Sequence, residues 1–227
     1  MRIFTALLTI LVFAFGAAAK EQPKFERVDS AMLSHAPYSD DFSEGQHNAP
    51  VVFIEYASLS CPHCAHFHKE IYPVLKKNYI DTGKMVYILR PFPLNEPALK
   101  AAMLVDCIGE QSGAQRYYTF VRVLFDAQDK WALDMNFLSA LETFAKVGGV
   151  PKETFEKCVS DPARELKLLK EKQAAAKELG VSGTPYIFIN GRHYDDEFTL
   201  PKVTAYIDRL LAQPSKANVP APATPEK

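Results

Sequence analysis

A chain of 227 residues with 26 basic and 27 acidic side chains has a formal net charge of −1, which gives it no global pull toward nucleic acid or acidic lipid. Such neutrality suits a protein that meets many unrelated polypeptides. The length fits one domain, or one domain with an insertion, at roughly 100–200 residues per domain.

Residues 1–19 read as a cleavable signal peptide. Arg2 supplies a positive start, Ile3 to Phe15 an apolar core, and Ala17-Ala18-Ala19 a small-residue cleavage site before Lys20. The apolar run is shorter than the roughly 20 residues of a comfortable membrane span. An exported chain beginning near Lys20 is therefore expected, rather than one held by an uncleaved anchor. Residues 20–45 are polar with little periodicity and read as an arm over the domain.

A first α/β part is expected over residues 46–94. After the turn-rich Gly45 to Pro50, Val51 to Ala57 reads as a buried strand and Cys61 to Asn78 as a helix. Pro62 is acceptable in the first helical turn, whereas Pro73 should kink or interrupt the helix. Met85 to Leu89 reads as a second strand, ended by Arg90-Pro91-Phe92-Pro93. Residues 95–177 read as almost wholly helical, opened by Asn95 as a cap, and form an insertion. Residues 178–212 return to the α/β unit. There Tyr186 to Ile189 is a strand, Asn190-Gly191 a hairpin turn and Leu200 to Leu211 a closing helix. The proline-rich residues 213–227 are expected to be a disordered tail.

Chemistry concentrates at Cys61-Pro62-His63-Cys64, where a strand gives way to a helix. One sulfur is expected exposed at the helix N-terminus and the other one turn inside, an arrangement suited to dithiol–disulfide exchange. The thiolate is the reactive species, and Cys61 would gain unpaired N–H groups and a positive helix end. His63 can donate a hydrogen bond to the same sulfur. Both favour the reduced form and make the disulfide a stronger oxidant. Half a zinc site is the competing reading, since His63, His66 and His68 are near. No second Cys-x-x-Cys or His-x-His cluster completes four ligands, so no metal is expected and His66 and His68 are assigned to the surface.

Glu55 interrupts an otherwise apolar strand. If the strand is central, its carboxyl is buried near the active helix and poised to take the proton of Cys64. An outward charge on an edge strand is the alternative. In Gly183-Thr184-Pro185-Tyr186 a proline precedes an apolar strand, with its isomer open. Four cysteines allow three pairings. Cys61 with Cys64 is the local one, which leaves Cys107 with Cys158 as a bridge or as two buried thiols.

Taken together, Ala49 to Tyr56 running into Cys61-Pro62-His63-Cys64, and Gly180 to Gly191 downstream of a helical insertion, resemble the thioredoxin superfamily and its DsbA-like branch. The resemblance covers about residues 44–211. It implies a thioredoxin-like fold with an inserted helical domain. By it, Cys61 is the nucleophile, Cys64 the buried resolving thiol, His63 the stabiliser of the Cys61 thiolate, Glu55 the buried acid and Pro185 the cis-proline facing the disulfide. Thr184, Pro185 and His63 would hold an extended substrate by strand-like contacts. Thr184 stands where many strong oxidases have valine. That residue and the added Cys107–Cys158 pair, read as a structural disulfide, are similar to features of alphaproteobacterial DsbA-like proteins.

The expected function is a periplasmic oxidoreductase that gives its Cys61–Cys64 disulfide to exported proteins with free thiols. It would need no cofactor beyond that disulfide, act as a monomer and be reoxidised by a DsbB-like membrane partner. An isomerase or reductase of the same fold is the runner-up. A non-catalytic binder of extended peptides and a metal-trafficking protein are the readings from other classes.

Overall fold

In the computed structural model the structure describes residues 41–213. The expected signal peptide, most of the N-terminal arm and nearly all of the tail lie outside the described residues.

The sheet is built around the apolar run at Val51. β1 (Ser43–Glu44) is a short edge piece, β2 (Val51–Ala57) is the central strand and β3 (Met85–Pro91) lies beside it. Between β2 and β3 comes one long helical passage: α1 (Pro62–His66), a π-helical turn (Phe67–Ile71), α2 (Tyr72–Leu75) and a second π-helical turn (Lys76–Ile80). Pro73 explains the interruption, because it lacks the N–H needed for the regular bond to the preceding turn. The passage crosses over the sheet so that β2 and β3 pair parallel, Phe53 opposite Tyr87 and Glu55 opposite Leu89. β3 continues two residues beyond the expected end at Leu89. Phe92 N donates to Ala57 O at 2.7 Å and prolongs the pairing past Pro91.

α3 (Glu96–Ser112), α4 (Ala114–Asp126), a 3₁₀ turn (Gln128–Lys130), α5 (Phe137–Val147), α6 (Lys152–Ser160) and α7 (Pro162–Glu178) follow. The chain then re-enters the sheet as β4 (Tyr186–Ile189) and β5 (Arg192–His193) and ends in α8 (Leu200–Ala212). Strand order is β1-β3-β2-β4-β5, with β4 antiparallel to β2. The turn between β4 and β5 has Asn190 at φ 48° and Gly191 at φ 75°. Both lie in the left-handed region that a tight two-residue hairpin requires. Asn190 also accepts from Val52 N at 2.7 Å and donates to Pro50 O at 3.1 Å, tying the turn to the start of β2.

Alternation along β2 divides the core. Phe53 and Ala57 point with Cys64, Phe67 and Val203 into the larger cluster, whereas Ile54 and Tyr56 meet Phe188, Ala175 and Leu179 on the opposite face. Cys107 of α3 is bonded to Cys158 of α6, with Cα atoms 5.6 Å apart.

Candidate active site

The loop from β2 to α1 is held from three directions. Cys61 N donates to Ser58 O at 2.9 Å and Ala65 N to Cys61 O at 3.1 Å, so Cys61 caps the helix. Pro62 occupies the first helical position, where a missing N–H leaves nothing unbonded. Gln128 Nε2, from the 3₁₀ turn, donates to Leu59 O at 2.8 Å and to Cys61 O at 3.0 Å. Ser60 Oγ donates to Asn95 Oδ1 at 3.0 Å, and the same oxygen accepts from Ala98 N at 3.0 Å to cap α3. One amide oxygen thus joins the dithiol loop to the start of the helical block.

Cys61 and Cys64 are both free thiols. Cys61 is only 6% exposed and Cys64 fully buried, which corrects the expectation of a freely exposed Cys61. The covering group is the segment before β4. Cys61 Sγ donates to Thr184 O at 3.3 Å, and Thr184 and Pro185 are themselves half-buried. The Thr184–Pro185 bond, which the sequence left open, is cis.

The two thiols titrate in opposite directions. Cys61 is lowered from 9.0 to about 5, first by the hydrogen bond from the Cys64 thiol. Burial opposes this, while Thr184 and the backbone N–H groups of Cys64 and His63 add to it. Cys64 is pushed well above 9.0, first by burial, then by the hydrogen bond it gives to Cys61 and by the charge of Glu55. The His63 residue between the two thiols is exposed.

Glu55 is fully buried on the central strand, which removes the edge-strand alternative. Its place between Phe53 and Ala57 in the alternation turns it toward the helix that carries Cys64. Oε2 accepts from the Tyr87 hydroxyl and lies 3.1 Å from His68 Nε2. His68 is not the surface residue expected from sequence. It is 5% exposed, stacked on Phe125 with ring centroids 4.1 Å apart and on Tyr72 at 5.0 Å. The available signal was spacing: His68 stands four residues after Cys64, one turn along the same helical face. His66, by contrast, is exposed. Gln128, Tyr87 and the second bond of Asn95 carried no sequence signal, because each depends on a neighbour distant along the chain. No group of three or more His, Cys, Asp or Glu side chains is gathered as a metal cluster among the described residues.

Comparison with known proteins agrees with this geometry. The family model described as Thioredoxin matches residues 39–209. A Rickettsia prowazekii protein that bears the name "Putative protein-disulfide oxidoreductase" is 31% identical over 180 residues, covering 79% of this chain and 65% of that protein. The chain thus spans just under two thirds of that relative's length. The crystal structure of Wolbachia pipientis alpha-DsbA1 is 34% identical, covers 79% of this chain and 94% of its own, and superposes with a TM-score of 0.73. BdbD from Bacillus subtilis, at 19% identity and a TM-score of 0.68, shares the fold over 77% of this chain and 94% of its own. The chain belongs to the thioredoxin family and, within it, to the DsbA-like proteins.

Proposed function

We propose that the protein is a thiol–disulfide oxidoreductase that donates a Cys61–Cys64 disulfide to exported proteins in the periplasm. The observation that carries this reading is the opposed titration of the two thiols, Cys61 lowered to about 5 and Cys64 raised. A reduced state stabilised in this way makes the corresponding disulfide an oxidant.

The reaction begins when a substrate thiolate attacks Cys61 Sγ. The Cys61–Cys64 bond breaks, a substrate–Cys61 bond forms and the electron pair passes to Cys64, which ends protonated. A second substrate thiolate then attacks the substrate sulfur of the mixed disulfide. Cys61 leaves as a thiolate, a good leaving group because of its low pKa. Two electrons have moved from substrate to enzyme, and the substrate holds a new disulfide.

Thr184 and Pro185, just before β4, stand over Cys61 and offer backbone groups to an extended substrate, with exposed His63 at the rim. Glu55 serves as the buried acid next to Cys64. The Cys107–Cys158 bridge is structural. A DsbB-like membrane partner would take the two electrons and restore the disulfide, with the protein working as a monomer. No cofactor beyond the dithiol is required.

The test is stoichiometric oxidation of a reduced, unfolded disulfide-containing protein. The oxidised protein should transfer one disulfide per Cys61–Cys64 pair, and Cys61→Ala should transfer none. Retained peptide binding by Cys61→Ala, with no disulfide transfer by the parent protein, would replace the oxidoreductase with a binder.

A further inference from the structure

We propose that a groove beside the active helical passage binds acidic polypeptide segments through their carboxylates, at a site separate from the dithiol. The groove has a volume of about 330 Å³ and lies between that passage and α4. Lys69, Tyr72, Lys76 and Lys77 line one side, and Arg122 and Asp126 the other. Neither the Cys61–Cys64 segment nor the Thr184–Pro185 segment contributes to it. The proposal goes beyond disulfide exchange, because holding an acidic segment needs no redox step.

An internal carboxylate shows what these walls recognise. Glu44 of β1 reaches the same side chains: Oε2 accepts from Tyr72 OH, and Oε1 accepts from Arg122 Nη1 at 3.3 Å and lies 3.5 Å from Lys76 Nζ. Three of the groove's side chains, from two separate helical elements, thus converge on one acid. The same pairs hold Lys76 and Arg122 in place before any ligand arrives. Lys69 and Lys77 are exposed and enter none of them. Asp81, also in the wall, is taken up by Lys76 at 2.5 Å. Four bases line the groove against two acids, and bases still outnumber acids when Glu44 is counted, on a chain of net charge −1. The local field is therefore positive.

Spacing favours a polypeptide over a small anion. Lys69 and Lys77 stand eight residues apart along the passage, which is about 12 Å of helical rise. A single phosphate or carboxylate engages both only if the two long side chains fold toward each other and lose rotamer freedom. In an extended chain each residue advances about 3.3 Å and alternate side chains share a face, so acids at positions i and i+4 lie about 13 Å apart on one side. Such a segment brings one carboxylate to each lysine without bending either. Attraction between the positive groove and the acids draws the segment in, and salt screens it.

The test is an NMR titration of the full protein with two extended, thiol-free peptides, one carrying glutamates at i and i+4 and one carrying glutamines in their place. The glutamate peptide should shift the amides of residues 69–77 and of α4 around Arg122, and leave those of Cys61, Cys64 and Thr184 unmoved. Lys69→Gln combined with Lys77→Gln should weaken its binding about tenfold. Added salt should weaken the parent's binding, and the glutamine peptide should not bind. Equal binding of both peptides, shifts confined to the dithiol face, or equal affinity in the parent and the double variant overturns the proposal. Inorganic phosphate that binds as tightly as the glutamate peptide overturns it in favour of a small-anion site. No disulfide is exchanged in this titration, so its failure leaves the oxidoreductase reading standing, and a failure of disulfide transfer leaves the groove standing.

Discussion

Cys61 and Cys64 differ in what surrounds each sulfur, and that difference sets the pH behaviour of the site. Cys61 titrates near pH 5 in the folded dithiol form, against an ordinary 9.0. Its contribution to the stability of that form is therefore complete above pH 9.0 and is lost as pH falls toward about 5. Cys64 has the opposite sign. Its raised value contributes below its ordinary 9.0, and that contribution is lost as pH climbs past it. Denaturant unfolding of both redox forms should show the dithiol gaining on the disulfide between pH 5 and 9; Cys61→Ser, which forms no Cys61–Cys64 disulfide, should show no corresponding rise in its own stability over that range. Ultraviolet absorbance of the thiolate should give a midpoint near 5, and Cys64→Ala, which removes the principal donor, should move it upward by about one pH unit or more. The two cysteines and Glu55 were legible in the sequence because their spacing and their interruption of an apolar strand are local signals. The burial of His68 was not, since it depends on a carboxylate of another strand and on Phe125 of a helix far along the chain.

Among the elements, those with strong local chemistry were readable. Asn95 caps α3, Asn190-Gly191 closes the β4–β5 hairpin, and Pro73 falls at the break in the active helical passage, as their side chains dictate. What the sequence withheld was the form of that break, two π-helical turns rather than a simple kink, and the edge strand β1. Two residues carry too little pattern to announce a strand. Tertiary partners hold it instead: Glu44 accepts from Tyr72 OH and pairs with Arg122 and Lys76. Asn95 works at two levels, capping α3 and holding Ser60 of the dithiol loop. Asn95→Ala should therefore cost more than the ~1 kcal/mol of an ordinary cap. It should also raise hydrogen exchange at the amides of Ser60 and Cys61. A loss confined to α3, with the loop amides unchanged, would separate the two roles.

Across the whole molecule, a central parallel pair carries the dithiol and the helices between β3 and β4 close over it. The Cys107–Cys158 bridge clamps α3 to α6 within that helical block, across a sequence separation of 51 residues. Chain entropy sets a ceiling of about 4 kcal/mol for such a loop. Cys107→Ala with Cys158→Ala should lower Tm by an amount within that ceiling, measured by calorimetry, and leave the Cys61 midpoint in place. The α/β order and the intervening helices were legible because hydrophobic period changes from two to 3.6 and back along the chain. Which helix meets which was not, being settled by side chains brought together only on folding. The central claim is that electrons flow from substrate to Cys61–Cys64, and its most direct test is the reduction potential of that pair in graded glutathione buffers, with Cys107 and Cys158 monitored separately. Because Cys61 ionises near 5 while Cys64 keeps its proton, the potential should fall by ~30 mV per pH unit between pH 5 and 9. At neutral pH a value above about −180 mV is expected for a disulfide that is readily donated, whereas a value near about −270 mV would mean that the dithiol gives electrons away and would contradict the oxidase.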